Sequence, residues 1–111
     1  MKTVSRTQLL SIADVVRRVA KPELIILFGS QARGTADKNS DIDLLIVEEP
    51  PVKGKWSRRR QIGRIRRSLP ATGIPIDVLL FTPAEVQKWR DSTNHIISEA
   101  LQEGEVLYER P

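Results

Sequence analysis

A chain of 111 residues with 40% hydrophobic and 29% charged side chains has the composition of an ordinary globular protein, not of a disordered segment. It has no cysteine, which excludes disulfides, thiolate zinc sites and cysteine nucleophiles. No apolar run approaches the roughly 18 residues of a membrane-spanning helix. The N-terminus lacks a signal-peptide layout, so a single cytoplasmic domain over residues 1–111 is expected.

The net charge of +4 conceals an uneven distribution. Between Pro51 and Ile76, eight of the 18 basic residues occur with no acid among them: Lys53, Lys55, Arg58, Arg59, Arg60, Arg64, Arg66 and Arg67. Such a block either meets an acidic or phosphate-bearing partner or forms a solvated helix face whose alkyl stems cover apolar surface.

Taken in order, Ser5 and Gln8 have capping-box spacing, and Leu9, Ile12, Ala13, Val16 and Val19 follow at helical period. A helix from about Arg6 to Ala20 is predicted, with Arg17, Arg18 and Lys21 favourable at its C-terminal end and Pro22 barring extension. Leu24–Phe28 reads as a buried strand, Ser30–Arg33 as a short helical turn, and residues 35–40 as a loop. Ile42–Val47 is a second buried strand, stopped by Glu48-Glu49-Pro50-Pro51 and followed by a basic link over residues 52–55. A helix over Ser57–Leu69 turns Ile62, Ile65 and Leu69 toward a sheet, and Pro70 ends it.

Ile76–Phe81 is the third strand. Thr82-Pro83-Ala84-Glu85 is a capping box with proline at the first helical position, giving a helix from Pro83 to about Arg90. Another helix runs near Asn94–Glu103 to Gly104, and Val106–Tyr108 adds a short edge strand. Strands alternating with helices imply a layered α/β (α+β) domain. The 13 residues between Phe28 and Ile42 allow either an antiparallel return or a short crossover. The 28 residues of Glu48–Pro75 contain a helix and fit a parallel crossover, so a small mixed sheet flanked by helices is expected.

The chemistry gathers at strand ends. Residues two apart on a strand share a face, so Asp41 and Asp43 stand together where the second strand begins. Gly29-Ser30 stands where the first strand ends. If these strands are neighbours, a turn of backbone amides and a hydroxyl faces a pair of carboxylates. That arrangement suits phosphate and magnesium respectively. Asp77 is the one acid in the apolar stretch IPIDVLLF, where an unpaired carboxylate is costly. Beside the second strand it would complete three carboxylates around one point. Two magnesium ions there could activate a hydroxyl and neutralise leaving phosphates. The bland alternative makes Asp77 a solvent-facing strand residue and the other two aspartates turn residues.

Gly29-Ser30-Gln31-Ala32-Arg33-Gly34 followed by Ser40-Asp41-Ile42-Asp43-Leu44 resembles the signature of the DNA polymerase beta nucleotidyltransferase superfamily. More narrowly, the chain is similar to the minimal nucleotidyltransferases, small prokaryotic proteins often paired with a HEPN-domain protein. The likeness extends over most of the chain, through the Ile-Pro-Ile-Asp77 strand to the closing Glu-Gly-Glu-Val-Leu-Tyr segment. It implies a polymerase-beta-like nucleotidyltransferase fold. It also implies Mg2+-dependent transfer of a nucleoside monophosphate, AMP from ATP, to an acceptor hydroxyl. Carried over by position, Gly29 and Ser30 hold the triphosphate, with Arg33 and Ser40 as further nucleotide contacts. Asp41 and Asp43 ligate the metals, and Asp77 is the third carboxylate, which helps activate the acceptor. The resemblance further implies a HEPN RNase toxin as partner, with this chain as the antitoxin that adenylylates it.

Larger enzymes of that superfamily grip the acceptor with a further domain. Here a partner protein or a second subunit is expected to complete the site, with the Arg58–Arg67 helix as a docking surface. His95 is expected at the surface, Trp56 and Trp89 between helices, and Arg33 has the loop surface as its alternative position. Three other readings stand beside this one: a vestigial site in an antitoxin that acts by occlusion, an RNA end as acceptor, and a small-molecule acceptor. An aromatic content of 5% counts against single-strand stacking.

Overall fold

The computed structural model describes residues 4–36, 40–52 and 54–111. Residues 37–39 of the expected loop and Lys53 of the basic segment lie outside them. The elements in chain order are α1 (Arg6–Val19), β1 (Pro22–Phe28), α2 (Ser30–Arg33), β2 (Ile42–Glu48), α3 (Arg58–Ser68), β3 (Ile76–Phe81), α4 (Pro83–Trp89), α5 (Ile96–Glu103) and β4 (Glu105–Glu109).

The helix starts are where local chemistry predicts them. Ser5 Oγ accepts from the Gln8 amide at 3.1 Å while Gln8 Oε1 accepts from the Ser5 amide at 2.9 Å, closing the capping box of α1. Thr82 and Glu85 do the same for α4 at 3.2 and 2.9 Å. The start of α5 differs from expectation. Asn94 has φ +64° and stands outside the helix, and His95 is its N-cap, with Nδ1 accepting from the Ile97 amide at 3.0 Å. His95 is therefore not a plain surface residue. It is half-buried and stacks on Trp89 with ring centroids 4.6 Å apart. Trp89 consequently lies at the surface against His95, whereas Trp56 packs on the main core as expected.

The four strands form one mixed sheet in the order β3-β2-β1-β4. The first connection makes an antiparallel return, pairing Phe28 with Asp43, and the longer one makes a parallel crossover, pairing Asp43 with Asp77. Both sheet faces are covered, which is why β1 and β2 read as nearly continuous apolar runs. On one face, Ile25, Leu27, Leu44, Ile46, Val78 and Leu80 pack against Leu9, Ile12 and Val16 of α1 and Ile65 of α3. On the other, Ile26, Phe28, Leu45 and Val47 pack against Ile97 and Ala100 of α5 and Val86 of α4. By strand alternation Asp43 and Asp77 belong to this second face, at the end of the sheet where the helical cover stops.

The far end of the sheet is fastened by a buried acid. Glu48, 6% exposed, accepts from the Lys21 amide at 2.8 Å and from Gln61 Nε2 at 3.0 and 3.2 Å. That network ties α3 to the end of β2 and the beginning of β1, and so fixes α3 beside β3.

Candidate active site

The cleft that collects the predicted residues opens where β1 ends and β2 and β3 begin. It has a volume of about 550 Å³, and Gly29, Ser30, Arg33, Asp43, Arg66, Asp77 and Glu99 supply its polar wall. Val78, Leu79 and Ile96 line its apolar side. Ser40 and Asp41 sit on the segment entering β2, half-buried, and do not line it.

Gly29 meets Asp43 almost head-on. The antiparallel pairing of Phe28 with Asp43 sets the glycine beside that carboxylate, and a Cβ on Gly29 would lie 2.4 Å from Asp43 Oδ2. Its backbone, at φ +75° and ψ −158°, belongs to a region only glycine visits freely. Turn and carboxylate are therefore fitted to one another, and no other residue type satisfies both demands.

Asp43 and Asp77 face each other across the parallel pair, one strand spacing of about 4.8 Å apart at the backbone. Burial pushes the Asp43 carboxyl above its ordinary value, and the charges of Asp77, Asp41 and Glu99 add to the effect, against the opposing pull of Arg33. Asp41 thus acts on Asp43 through its charge. Among the described residues no three acid or histidine side chains are gathered closely enough to hold one metal ion. The donor set, hard carboxylate oxygens of Asp43 and Asp77 on one cleft wall, nonetheless fits a hard divalent cation.

The two cleft guanidiniums are held differently. Arg33 reaches Glu99 at 3.8 Å and Glu103 at 3.4 Å, successive turns of α5. Arg66 reaches Asp77 Oδ1 at 3.7 Å and donates to the Ile76 carbonyl at 3.4 Å. Arg66, Glu99 and Ile96 escape motif reasoning. Arg66 reads as one member of a basic block, and its place in the cleft sets it apart from the other arginines of the helix expected as a docking surface. Its signal is its position next to Ile65, on the flank of the stripe that faces the sheet.

The nucleotidyltransferase domain family matches residues 10–107, most of the chain. The chain belongs to that family. A protein of Methanocaldococcus jannaschii, provisionally named a protein adenylyltransferase, is 34% identical over 87 residues. The match takes in 78% of this chain but 58% of that relative, so the chain spans less than two thirds of its length. Two solved structures share the nucleotidyltransferase fold. A toxin–antitoxin structure with AMP-PNP gives a TM-score of 0.61 at 21% identity, covering 92% of this chain and 73% of that one. A protein of Sulfolobus solfataricus provisionally described as a nucleotidyltransferase gives 0.58 at 20% identity, covering 94% and 83%.

Proposed function

We propose that this nucleotidyltransferase domain transfers AMP from ATP to a hydroxyl of a partner protein, as the minimal-nucleotidyltransferase antitoxin of a HEPN RNase toxin. The observation that carries the reading is the Asp43–Asp77 pair, facing across β2 and β3 in one cleft with the Gly29-Ser30 turn. The name of the archaeal relative and the toxin–antitoxin structure with AMP-PNP support the acceptor class and the nucleotide.

In this mechanism Gly29 lets the triphosphate approach the backbone, and the Ser30 hydroxyl and turn amides bind it. Asp43 and Asp77 on the cleft wall, with Asp41 on the segment entering β2, would hold Mg2+, two ions in all, and the metal would supply charge neutralisation on the phosphates and a lowered pKa of the acceptor hydroxyl. Asp77, the more open of the facing carboxylates, takes the acceptor proton. The acceptor oxygen then bonds to the α-phosphorus as the bond to pyrophosphate breaks, with the attacking and leaving oxygens in line. Arg33, on the cleft wall, adds a further nucleotide contact, while Ser40 stands outside the lining on the segment entering β2.

The exposed arginines of α3 dock the acidic surface of the acceptor protein. The test is transfer of label from [α-32P]ATP, with Mg2+, to the protein that co-purifies with the chain. Label is expected on that protein with wild type and not with Asp43→Asn. Label on RNA would shift the acceptor class, and equal labelling by wild type and variant would refute the site.

A further inference from the structure

We infer that Arg66 is a phosphate-binding residue held in reserve by Asp77. It pairs with Asp77 while the cleft carboxylates are free, and it turns to the triphosphate once Asp77 is engaged by a divalent cation. This inference rests on the nucleotidyl-transfer reading and extends it to a residue outside the turn and the aspartates.

Chain connectivity puts Arg66 there. The parallel crossover from β2 to β3 lays α3 along β3 in the opposite direction, with Arg58 over the Phe81 ring at 5.9 Å and Arg66 beside Ile76 and Asp77. The Glu48–Gln61 bonds and buried Ile65 hold that register, so the guanidinium of Arg66 is delivered to the cleft mouth by the core itself.

The difference between the two cleft arginines decides which one is released. Arg33 is neutralised by Glu99 and Glu103, both on α5. Neither belongs to the proposed metal-holding aspartates, so loading the site leaves Arg33 where it is. Arg66 is neutralised by Asp77, its acidic partner among the described residues, at 3.7 Å. The charge of Asp77 is the one that cation binding consumes. With that counter-charge spent, Arg66 would be left on the cleft wall with a free fork to offer a triphosphate bound in the same cleft.

The pair is weak enough to exchange. Both side chains are more than half exposed, at 54% and 56%, and solvent screens such contacts. A guanidinium also presents a planar fork that matches phosphate oxygens better than a single carboxylate oxygen at this distance.

The role predicts effects of opposite sign. Mn2+ binding without nucleotide, and ATP binding with Mg2+, are measured by calorimetry on wild type, Arg66→Gln and Arg66→Lys. Removing the competitor for Asp77 should tighten Mn2+ binding in Arg66→Gln by about two- to fivefold. Losing the phosphate contact should weaken ATP binding at saturating Mg2+ by about tenfold or more. Arg66→Lys, which keeps the charge but not the fork, should fall between on both readouts. A residue that only shapes the cleft would move both affinities down together, and a pure docking residue would move neither. Either pattern overturns the inference. If wild type binds both Mn2+ and ATP and Arg66→Gln matches it, this inference alone fails. If wild type binds neither, the nucleotidyl-transfer reading fails with it.

Discussion

Replacing Gly29 by alanine tests the fitted turn and carboxylate at the centre of the site. The backbone at φ +75°, ψ −158° costs any L-residue about 1–3 kcal/mol. The new Cβ, 2.4 Å from Asp43 Oδ2, must also drive that carboxylate aside. With an unfolding entropy of about 2.1 cal/mol/K per residue, a 111-residue chain loses about 4–13 °C of melting temperature for the backbone term alone. Gly34 is the control. It has φ +74° and nothing within 4 Å of a built Cβ, so Gly34→Ala carries only a left-handed backbone cost of about 1–2 kcal/mol. The discriminating measurement is a double-mutant cycle with Asp43→Ala in denaturant unfolding. Gly29→Ala should couple to it by more than about 0.5 kcal/mol, because truncating Asp43 removes the clash, whereas Gly34→Ala should be additive. ATP binding should be lost in Gly29→Ala and retained in Gly34→Ala. Additivity for both glycines, with ATP affinity unchanged, would refute the fitted-turn argument.

Three further outcomes are expected. Asp77→Asn should keep ATP binding while lowering AMP transfer by about 10²–10⁴-fold, and transfer near the wild-type rate would remove Asp77 from the chemistry. Reversing Arg59, Arg60 and Arg67 to glutamate should slow association with the acceptor protein and flatten its salt dependence in surface plasmon resonance, while ATP binding stays at the wild-type level; an unchanged association rate would move docking off α3. Burial opposes ionisation of Glu85, but bonds from Thr82 and Arg58 outweigh it and hold its carboxyl below the ordinary value. Its folded-state pKa is therefore the lower one. Its contribution to stability is complete above the unfolded carboxylate pKa and is lost as pH falls through the folded value. Glu85→Gln should flatten the acid limb of the melting temperature against pH, and parallel curves for the two proteins would refute the linkage.

What the sequence determined by itself was local. Capping at Ser5/Gln8 and Thr82/Glu85 was legible because those bonds close within a single turn, and β1, β2 and β3 were legible because strands covered on both faces must be apolar throughout. The aspartates and the Gly-Ser turn were legible as strand-end polar groups for the same reason: a carboxylate in an apolar run calls for a partner. The start of α5 was not, since the stacking of His95 on Trp89 joins two helices and leaves no periodic trace. Tertiary structure alone decided that β1 returns antiparallel to β2, because a 13-residue connection satisfies either direction. It alone decided that Asp77 faces Asp43, since register depends on how α3 packs through Ile65 and the buried Glu48–Gln61 bonds. And it alone drew Arg66 out of a uniform basic block: charge is visible in a sequence, but which charge lies over which carboxylate is set by the crossover that carries the helix there.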